Sequence, residues 1–420
     1  MDKKQRVLSA VRFLGVDRPP TSFRATKPLV RRLAHHFGLD ENPGLAELAG
    51  RRELLGRIGA DFWSTGSKLG YNSTFVPYYA GPRPAAPFIE DGSKFFALGI
   101  DVVSGRVEAY DFEYPIYTNP PLARVEDASE IRSGFLTSKL DLFDFNCMVN
   151  RLTQSAKTAP GAGSEVPLAY DSLRGEGDDF MCMGMFNSPF MMCCYLRGME
   201  QFLVDLVLDS RLAGRIIGEV GEYCVEFNRR ELASFGQNAE IYAMWDDIAG
   251  QDGMLFSPKL FEQCFLPIYR LLIEGAKRSG LLFNWHCCGS VHRVLPAMID
   301  VGIDIFDVVQ TSARGMDLDN LHRLYGSNVC LHGAVDVQKL LVYGSPEQVK
   351  DEVRRIIDLW GLRGGVIVAP SHEALPETPI QNILAIYEPI NVGLSLRPTE
   401  KPGYADCATQ PASSHAADRS

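Results

Sequence analysis

Residues 281–310 read LLFNWHCCGSVHRVLPAMIDVGIDIFDVVQ, a short apolar run, a helical run and then a second short apolar run. The same alternation continues downstream, with apolar runs at 329–334 and 365–369 and helical runs at 317–325, 346–360 and 379–394. Upstream it includes apolar runs at 167–172 and 241–245 and helical runs at 189–207, 211–235 and 257–279. Strands that alternate with helices indicate βα units and a mostly parallel sheet.

The six apolar runs of this half are predicted strands, and residues 61–64 and 22–24 supply a seventh and an eighth. Eight βα units close a (β/α)₈ barrel of about 250 residues. The glycine fingerprint of dinucleotide-binding folds is missing from the strand-to-helix turns, which disfavours a Rossmann fold. We therefore predict an α/β protein of the TIM-barrel class with a decorated N-terminal segment.

The composition of the other segments indicates how the chain is divided into a domain and a tail. Residues 1–400 are predicted to form a single domain, in which 65–135, rich in Pro, Gly and aromatic residues, contribute hairpins and loops. Residues 401–420 are polar, contain small residues and two Pro, and are predicted to be disordered.

Charge and cysteine usage limit the function classes. The 420 residues carry a formal net charge of −10, so the basic surface of a nucleic-acid-binding protein is not expected. The most apolar stretch, 180–208, is interrupted by charged residues and Pro189, which argues against a membrane span. Ten Cys are too few for a disulfide scaffold, and the N-terminus lacks a signal-peptide pattern. We therefore expect a cytoplasmic protein.

Polar residues follow the predicted strands at the end where barrel enzymes place their chemistry. A single polar residue after a strand is most often an ordinary loop residue. Polar residues after six parallel strands, all at the same end of the sheet, favour a functional site. The endings are Asp171-Ser172, Asp246-Asp247, His286 to Cys288, Gln310, Asp336 and Ser371-His372.

The most specific of these signals is a candidate metal site. Residues i and i+2 of a strand face the same side, so His286 and Cys288 can converge on one ion while Cys287 points away. Zinc binds imidazole and thiolate, and a catalytic zinc takes three protein ligands. His372, just past the strand GVIVA, is the predicted third ligand. The alternative is a pair of buried polar side chains without a metal.

The other candidates have weaker signals. Of Asp246 and Asp247 only one is expected to enter the barrel, as a substrate ligand or an acid–base group; the alternative is a capping carboxylate. Gln310 could bind a substrate amide or a water, and Asp336 could orient a ligand histidine, unless both make ordinary loop hydrogen bonds.

A methionine cluster precedes and enters the helical run at 189–207. Such a cluster is most often core, with a deformable wall for a bulky ligand as the alternative. Its members are Met181, Met183, Met185, Met191, Met192 and Met199.

Four segments carry a family resemblance: WDDIAGQDGMLFSPKLFEQCFLP (245–267), NWHCCGSVHRVLPAMIDVGIDIFDVVQTSARGMD (284–317), LHGAVDVQKLLVYGSPEQVKDEV (331–353) and GGVIVAPSHEALPETPIQNILAIYE (364–388). With QRVLSAVRFLGVDRPP at 5–20, they resemble the uroporphyrinogen decarboxylase superfamily, and especially its corrinoid-linked methyltransferase branch. The resemblance implies a (β/α)₈ barrel. It also implies zinc held by the H-x-C-G motif, here His286 and Cys288, and by a residue before the T-P-x-x-N helix, here 378–382.

The sequence departs from the family pattern at three points. His372 stands where thiol-transferring members carry Cys. The R-Q-A-G-R signature of the decarboxylases is not found, since Arg18 and Arg24 lie near that region without reproducing it. The D-x-H-x-x-G cobalamin motif is also missing, so a corrinoid would arrive on a separate protein.

The resemblance therefore implies a zinc-dependent methyltransferase that moves a methyl group between a small methylated substrate and a corrinoid protein or a thiol. Asp246, Asp247 and Gln310 would line the substrate pocket, and the Met-rich helix could face the corrinoid partner. Two imidazoles and one thiolate leave a zinc site at +1, which favours an ether oxygen as its target; activation of a thiol is the close alternative.

Two other functions stay open. One is a metal-free, decarboxylase-like lyase for a porphyrinogen or another carboxylate, for which Arg174 and Arg314 near strand ends are the only hints. The other is a non-catalytic barrel that binds a corrinoid protein.

Overall fold

The structure is a computed structural model that describes residues 1–39, 48–63, 73–79, 81, 98–110, 112–150, 181–183, 188–236 and 239–391. Its strands are β1 Ser22–Phe23, β2 Phe62–Trp63, β3 Ser73–Tyr79, β4 Asp101–Val107, β5 Phe112–Thr118, β6 Phe143–Asn150, β7 Met181–Met183, β8 Ile241–Trp245, β9 Ala249–Gly250, β10 Gly253–Met254, β11 Leu282–His286, β12 Ile305–Val309, β13 Cys330–Val335 and β14 Val366–Pro370.

Its helices are α1 Lys3–Val11, α2 Lys27–His36, α3 Leu48–Ile58, α4 Pro189–Arg197, α5 Met199–Leu208, α6 Ser210–Phe235, α7 Pro258–Leu260, α8 Leu266–Arg278, α9 Leu295–Asp300, α10 Leu318–Tyr325, α11 Leu340–Tyr343, α12 Pro346–Trp360 and α13 Ile380–Asn391. A π-helical turn, Phe261–Phe265, joins α7 to α8, and 3₁₀ turns lie at Glu108–Tyr110, Ala128–Glu130 and Thr137–Leu142.

The main sheet is parallel except at one edge. Its strand order is β14-β13-β12-β11-β8-β7-β3-β6, and only the β3–β6 pair within it is antiparallel. β1 extends this row beyond β14 through the parallel bridges Thr21–Val368 and Ala25–Ala374, and it also pairs in parallel with β2. The predicted α/β class with a mostly parallel sheet is therefore confirmed.

Helix ends follow the local sequence. Asp2 precedes α1 and its carboxylate accepts a hydrogen bond from the amide of Gln5, the standard arrangement at a helix start. Ser345 and Gln348 form a reciprocal capping box around α12, with Pro346 in its first turn. The apolar stripe of α12 from Val349 to Trp360 is buried, so amphipathic periodicity packs this helix on the sheet.

Several predicted elements need correction. The run at 189–207 is two helices, because Gly198 adopts φ = 89° between α4 and α5. β7, which pairs with β8, was not predicted as a strand. Met191 and Met192 are buried as expected, but Met199 is 42 % exposed and does not belong to the core.

Other predictions fall partly outside the described residues. These are the strand at 167–172, the end of the run at 61–64, Met185 and the tail at 401–420. Within residues 65–135, β4 and β5 form an antiparallel hairpin. Among the described helices, none is both long enough and apolar enough to cross a membrane.

Strand register separates polar from aromatic side chains. His286 of β11 pairs with Asp307 of β12, which pairs with His332 of β13, so these three side chains share one face, here called the inner face. On the opposite face Trp285 packs against Phe306, with ring centroids 5.6 Å apart. Parallel pairing thus brings ionisable groups together near the carboxyl ends of three strands.

Candidate metal centre

The structure brings His286, Cys288 and His372 together. His286 ends β11, Cys288 follows two residues later, and His372 lies two residues beyond β14. One ligand atom from each residue lies within 4.8 Å of the others. The distance from His286 Nε2 to Cys288 Sγ is 3.7 Å, and the two imidazole centroids are 6.0 Å apart. Two imidazoles and one thiol are a donor set that zinc accepts, with a fourth position left for a substrate.

The three groups differ in how they hold protons. Burial would lower the pKa of His286, but attraction to Asp307 raises it well above its usual range, so a bound cation would displace a proton from this imidazole. Burial lowers the pKa of His372 to about 4, so this imidazole is neutral at pH 7. Burial raises the pKa of the Cys288 thiol, which His286 partly offsets. Because a coordinating thiol loses its proton to the ion's charge, metal binding here would release a proton. The residues therefore fit a zinc ion by their donor chemistry.

Asp307 orients His286. The His286 Nδ1 donates a hydrogen bond of 2.6 Å to Asp307 Oδ2, which leaves Nε2 directed toward Cys288. Burial would raise the pKa of Asp307, but attraction to Arg24 and the two neighbouring histidines holds this pKa far below its usual range. Asp307 is therefore a carboxylate that fixes the tautomer of a ligand histidine, an arrangement common around zinc.

For Asp336 the sequence left two roles open, that of orienting a ligand histidine and that of an ordinary loop contact. The Asp336 carboxylate accepts hydrogen bonds from the amides of Gln338, Lys339 and Leu340 in the loop before α11. It is the ordinary loop contact that the sequence left open as the alternative.

A buried network extends from Asp307 to the first strand. Arg24 Nη2 donates to Asp307 Oδ1 at 2.7 Å and to His332 Nε2 at 2.8 Å. The Ser22 hydroxyl lies 2.7 Å from the same His332 nitrogen. Burial, followed by the charge of Arg24, lowers the pKa of His332 to about 3, so this imidazole is neutral. Sequence reasoning missed Asp307; its one signal was a carboxylate inside the apolar run IFDVV.

The two adjacent aspartates have different environments. Asp247 Oδ1 accepts a 2.8 Å hydrogen bond from the amide of Cys288, so Asp247 is next to the candidate ligands. Asp246 is fully buried and accepts from the amides of Phe190 and Met191 at the start of α4 and from the Tyr269 hydroxyl. Burial raises the pKa of Asp246 to about 7, against these hydrogen bonds. Asp246 is thus engaged in capping α4.

Gln310 shapes the loop that follows Cys288. Its Oε1 accepts hydrogen bonds from Gln251 Nε2 at 2.7 Å and from the amide of Gly289 at 2.9 Å. Gln310 is 6 % exposed.

Three further candidates cannot be placed relative to this centre, and a fourth is at the surface. Asp171, Ser172 and Arg174 lie outside the described residues. Arg314 is exposed, so it is not an inward carboxylate clamp.

Comparison with known proteins assigns the chain to a family. The family model for uroporphyrinogen decarboxylase (URO-D) matches residues 148–391. A methylated-thiol–coenzyme M methyltransferase of Methanosarcina mazei is 26 % identical over 218 residues, 52 % of this chain and 55 % of that protein. A methylcobamide:CoM methyltransferase of Methanosarcina acetivorans is 21 % identical over 50 % of this chain and 58 % of its own length. The aligned part of the sequence thus spans little more than half the length of each of these two curated methyltransferases.

A uroporphyrinogen decarboxylase of Neisseria gonorrhoeae is 24 % identical over 317 residues, 71 % of this chain and 83 % of that protein. Among solved structures, a methyltransferase from Methanosarcina mazei superposes with a TM-score of 0.59 at 17 % identity, covering 93 % of this chain and 99 % of that one. The likeness in structure is therefore a likeness of fold. The matched model spans more than half of the chain, and the chain belongs to the uroporphyrinogen decarboxylase (URO-D) family.

Proposed function

We propose that this protein is a zinc-dependent methyltransferase that moves a methyl group between a small methylated substrate and a corrinoid protein or a thiol. The observation that carries the proposal is the cluster of His286, Cys288 and His372, whose ligand atoms lie within 4.8 Å of one another. The Methanosarcina mazei and Methanosarcina acetivorans methyltransferases described above support it. We also infer that the parallel sheet closes into a (β/α)₈ barrel, as the fold likeness suggests.

Each residue of the centre has a proposed role. His286 Nε2, the Cys288 thiolate and His372 would hold the zinc, with Asp307 fixing the His286 ring. Asp247 and Gln310 would hold the backbone of Cys288 and Gly289. Asp246, predicted to line the pocket, would act indirectly by fixing the start of α4.

The donor set points to an ether as methyl donor. Zinc bound by two neutral imidazoles and one thiolate would supply Lewis acidity at a formal +1, stronger than that of a neutral site with two thiolates. The low pKa of His372 keeps its imidazole uncharged. Trp245, half-buried and paired in register with His286, lies on the inner face and offers a ring surface to the methylated group. A corrinoid on a separate protein would receive the methyl group.

The first experiment measures bound zinc by mass spectrometry in the wild type and in His286→Ala, Cys288→Ala and His372→Ala. We expect about one zinc per wild-type chain and its loss in each variant, because three ligands define the site. Cys264→Ala and His36→Ala remove a half-buried thiol and an exposed imidazole elsewhere, and should keep the metal. A wild type that stays metal-free after zinc reconstitution would remove this mechanism.

The second experiment changes the charge of the donor set. His372→Cys gives one imidazole and two thiolates, which lowers the formal charge of a zinc site from +1 to zero. We expect ether demethylation with a Co(I) corrinoid to fall and methylation of a thiol by methylcobalamin to rise, as measured by product analysis. If the wild type methylates the thiol but never demethylates an aryl methyl ether, the ether proposal is wrong and thiol activation replaces it.

A carboxy-lyase is the second candidate, and the longer alignment with the Neisseria gonorrhoeae decarboxylase favours it. Against it, Arg314 is exposed. Release of CO₂ from a porphyrinogen by metal-free protein would establish this alternative. The cytoplasmic location expected from cysteine usage stays a prediction.

A further inference from the structure

The most unusual charged group in the described part of the chain is Arg24. Its side chain is fully buried, and so is that of its partner Asp307. Two of its three nitrogens, Nε and Nη1, have no hydrogen-bond partner among the described residues. Replacing a buried ion pair by apolar residues of similar volume is often neutral or stabilising. Fold stability alone therefore does not explain a guanidinium at this position.

We propose that Arg24 is a positioning residue of the metal centre, which acts through Asp307 on the ligand His286. This inference rests on the zinc site of the proposed function.

The atoms form a continuous chain. Arg24 Nη2 lies 2.7 Å from Asp307 Oδ1, and Asp307 Oδ2 accepts from His286 Nδ1 at 2.6 Å. One carboxylate oxygen is thus occupied by Arg24, and the other is directed at the imidazole. Both carboxylate oxygens are needed to fix its plane, since a carboxylate held at one atom can still rotate. Arg24 therefore sets the direction from which Asp307 meets the His286 ring.

The ring orientation decides which nitrogen can bind a metal. With Nδ1 directed at Asp307, Nε2 is the nitrogen that remains for a metal, on the side of Cys288. Without Arg24, the Asp307 Oδ1 atom would keep only the longer 3.2 Å contact with His332 Nδ1. A carboxylate held this loosely rotates and releases Nδ1, which lets the His286 ring turn.

The backbone supports the same connection. Arg24 lies between Thr21 and Ala25, which form parallel bridges to Val368 and Ala374. His372 lies between those two bridge partners in sequence. The segment that carries Arg24 is therefore attached to the segment that carries the third ligand, and its side chain reaches the segment that carries the first.

The test measures zinc affinity by competition with a chromogenic chelator in Arg24→Gln, Asp307→Asn and the double variant. Loss of a group that orients a ligand histidine typically weakens metal binding by about 10–100-fold. We expect a loss of this size in each single variant, and no larger loss in the double variant than in Asp307→Asn alone. Arg24→Lys keeps the cation and should recover part of the affinity. In the cobalt(II)-substituted protein, the visible absorption bands should shift in the Arg24 variants.

Arg197→Gln is the matched control. Arg197 is also buried and pairs with Asp205 at 2.7 Å, while its other hydrogen bonds go to backbone carbonyls at 122, 123 and 125. It should lower the unfolding midpoint but leave zinc affinity and the cobalt spectrum unchanged. Circular dichroism checks the fold, and if Arg24→Gln does not fold, Arg24→Lys and Asp307→Asn carry the comparison.

Three outcomes overturn the inference. Folded Arg24→Gln that binds zinc as tightly as the wild type shows that Arg24 does not position the site. Additive losses in the double variant show that Arg24 does not act through Asp307. Wild-type protein that binds no zinc removes the metal site itself, and with it the proposed function. Methyl transfer that is missing despite normal zinc binding refutes the proposed function alone.

Discussion

The glycine after the second candidate ligand gives the most specific steric prediction. Gly289 adopts φ = 82°, and an added Cβ would lie 2.4 Å from the carbonyl oxygen of Gly250 and 2.7 Å from its carbon. Both atoms are backbone, so they cannot move aside as a flexible side chain would. We therefore predict that Gly289→Ala both destabilises the protein and weakens zinc binding at Cys288.

The magnitude follows from two contributions. A left-handed backbone costs an L-residue with a Cβ about 1–2 kcal/mol. Ordinary contact, at 3.4 Å or more, requires the Gly250 oxygen to shift by about 1 Å. That shift breaks the 2.9 Å hydrogen bond from the Ser290 amide to this oxygen, with a further loss of about 0.5–1.5 kcal/mol. The expected decrease in the free energy of unfolding is about 1.5–3.5 kcal/mol.

Gly280→Ala is the matched control. Gly280 has φ = 80° and no atom within 4 Å of the added Cβ, so only the backbone contribution of about 1–2 kcal/mol applies. Urea unfolding measures both free energies, and chelator competition measures zinc affinity. We expect weaker zinc binding in Gly289→Ala alone. Equal stability losses and equal zinc affinities in the two variants would refute the steric reasoning.

Two further predictions concern groups away from the centre. Asp61 is buried and accepts hydrogen bonds of 2.8 Å from both Arg6 and Arg18. Asp61→Asn should therefore lower the free energy of unfolding by about 3–5 kcal/mol. A loss under about 1 kcal/mol in urea unfolding would contradict this prediction. His322 packs on Trp360 at 4.5 Å between ring centroids, and burial, followed by the charge of Arg363, lowers its pKa below 6.5. The unfolded chain therefore binds a proton at His322 more readily than the folded chain does. The neutral His322 side chain stabilises the fold above pH 6.5, and this contribution is lost as the pH falls through the lower pKa of the folded state. The stability of His322→Gln should therefore fall less than that of the wild type between pH 8 and pH 5.5, and parallel pH profiles would contradict this.

Much of the fold was predictable because it depends on local patterns. Alternation of short apolar runs with amphipathic helices located β8, β11, β12, β13 and β14 to within two residues. β7 was missed because three residues, Met181–Met183, carry too little periodicity to separate a strand from the start of a helix. The split at Gly198 depends on a positive φ, which the surrounding apolar pattern did not indicate.

The candidate ligands were also predictable from sequence. The two-residue period of a strand puts His286 and Cys288 on one side, and parallel strands end at the same edge, which brings His372 near them. Adjacent strand residues point in opposite directions, so the separation of Asp246 from Asp247 could be expected. What the sequence left open was which of the two would face the ligands.

The parallel α/β architecture was predictable from the sequence alone, because strands and helices show periods of two and 3.6 residues along the chain. The three candidate ligands were predictable as well, because parallel strands end at one edge of the sheet and the family resemblance points to the same segments. The identity of the carboxylate that orients His286 required the three-dimensional structure. Asp307 pairs with Arg24, 283 positions away in the chain, and with His286, 21 positions away. Hydrogen bonds between such distant residues depend on strand register and side-chain direction across the sheet, for which no local pattern carries a signal.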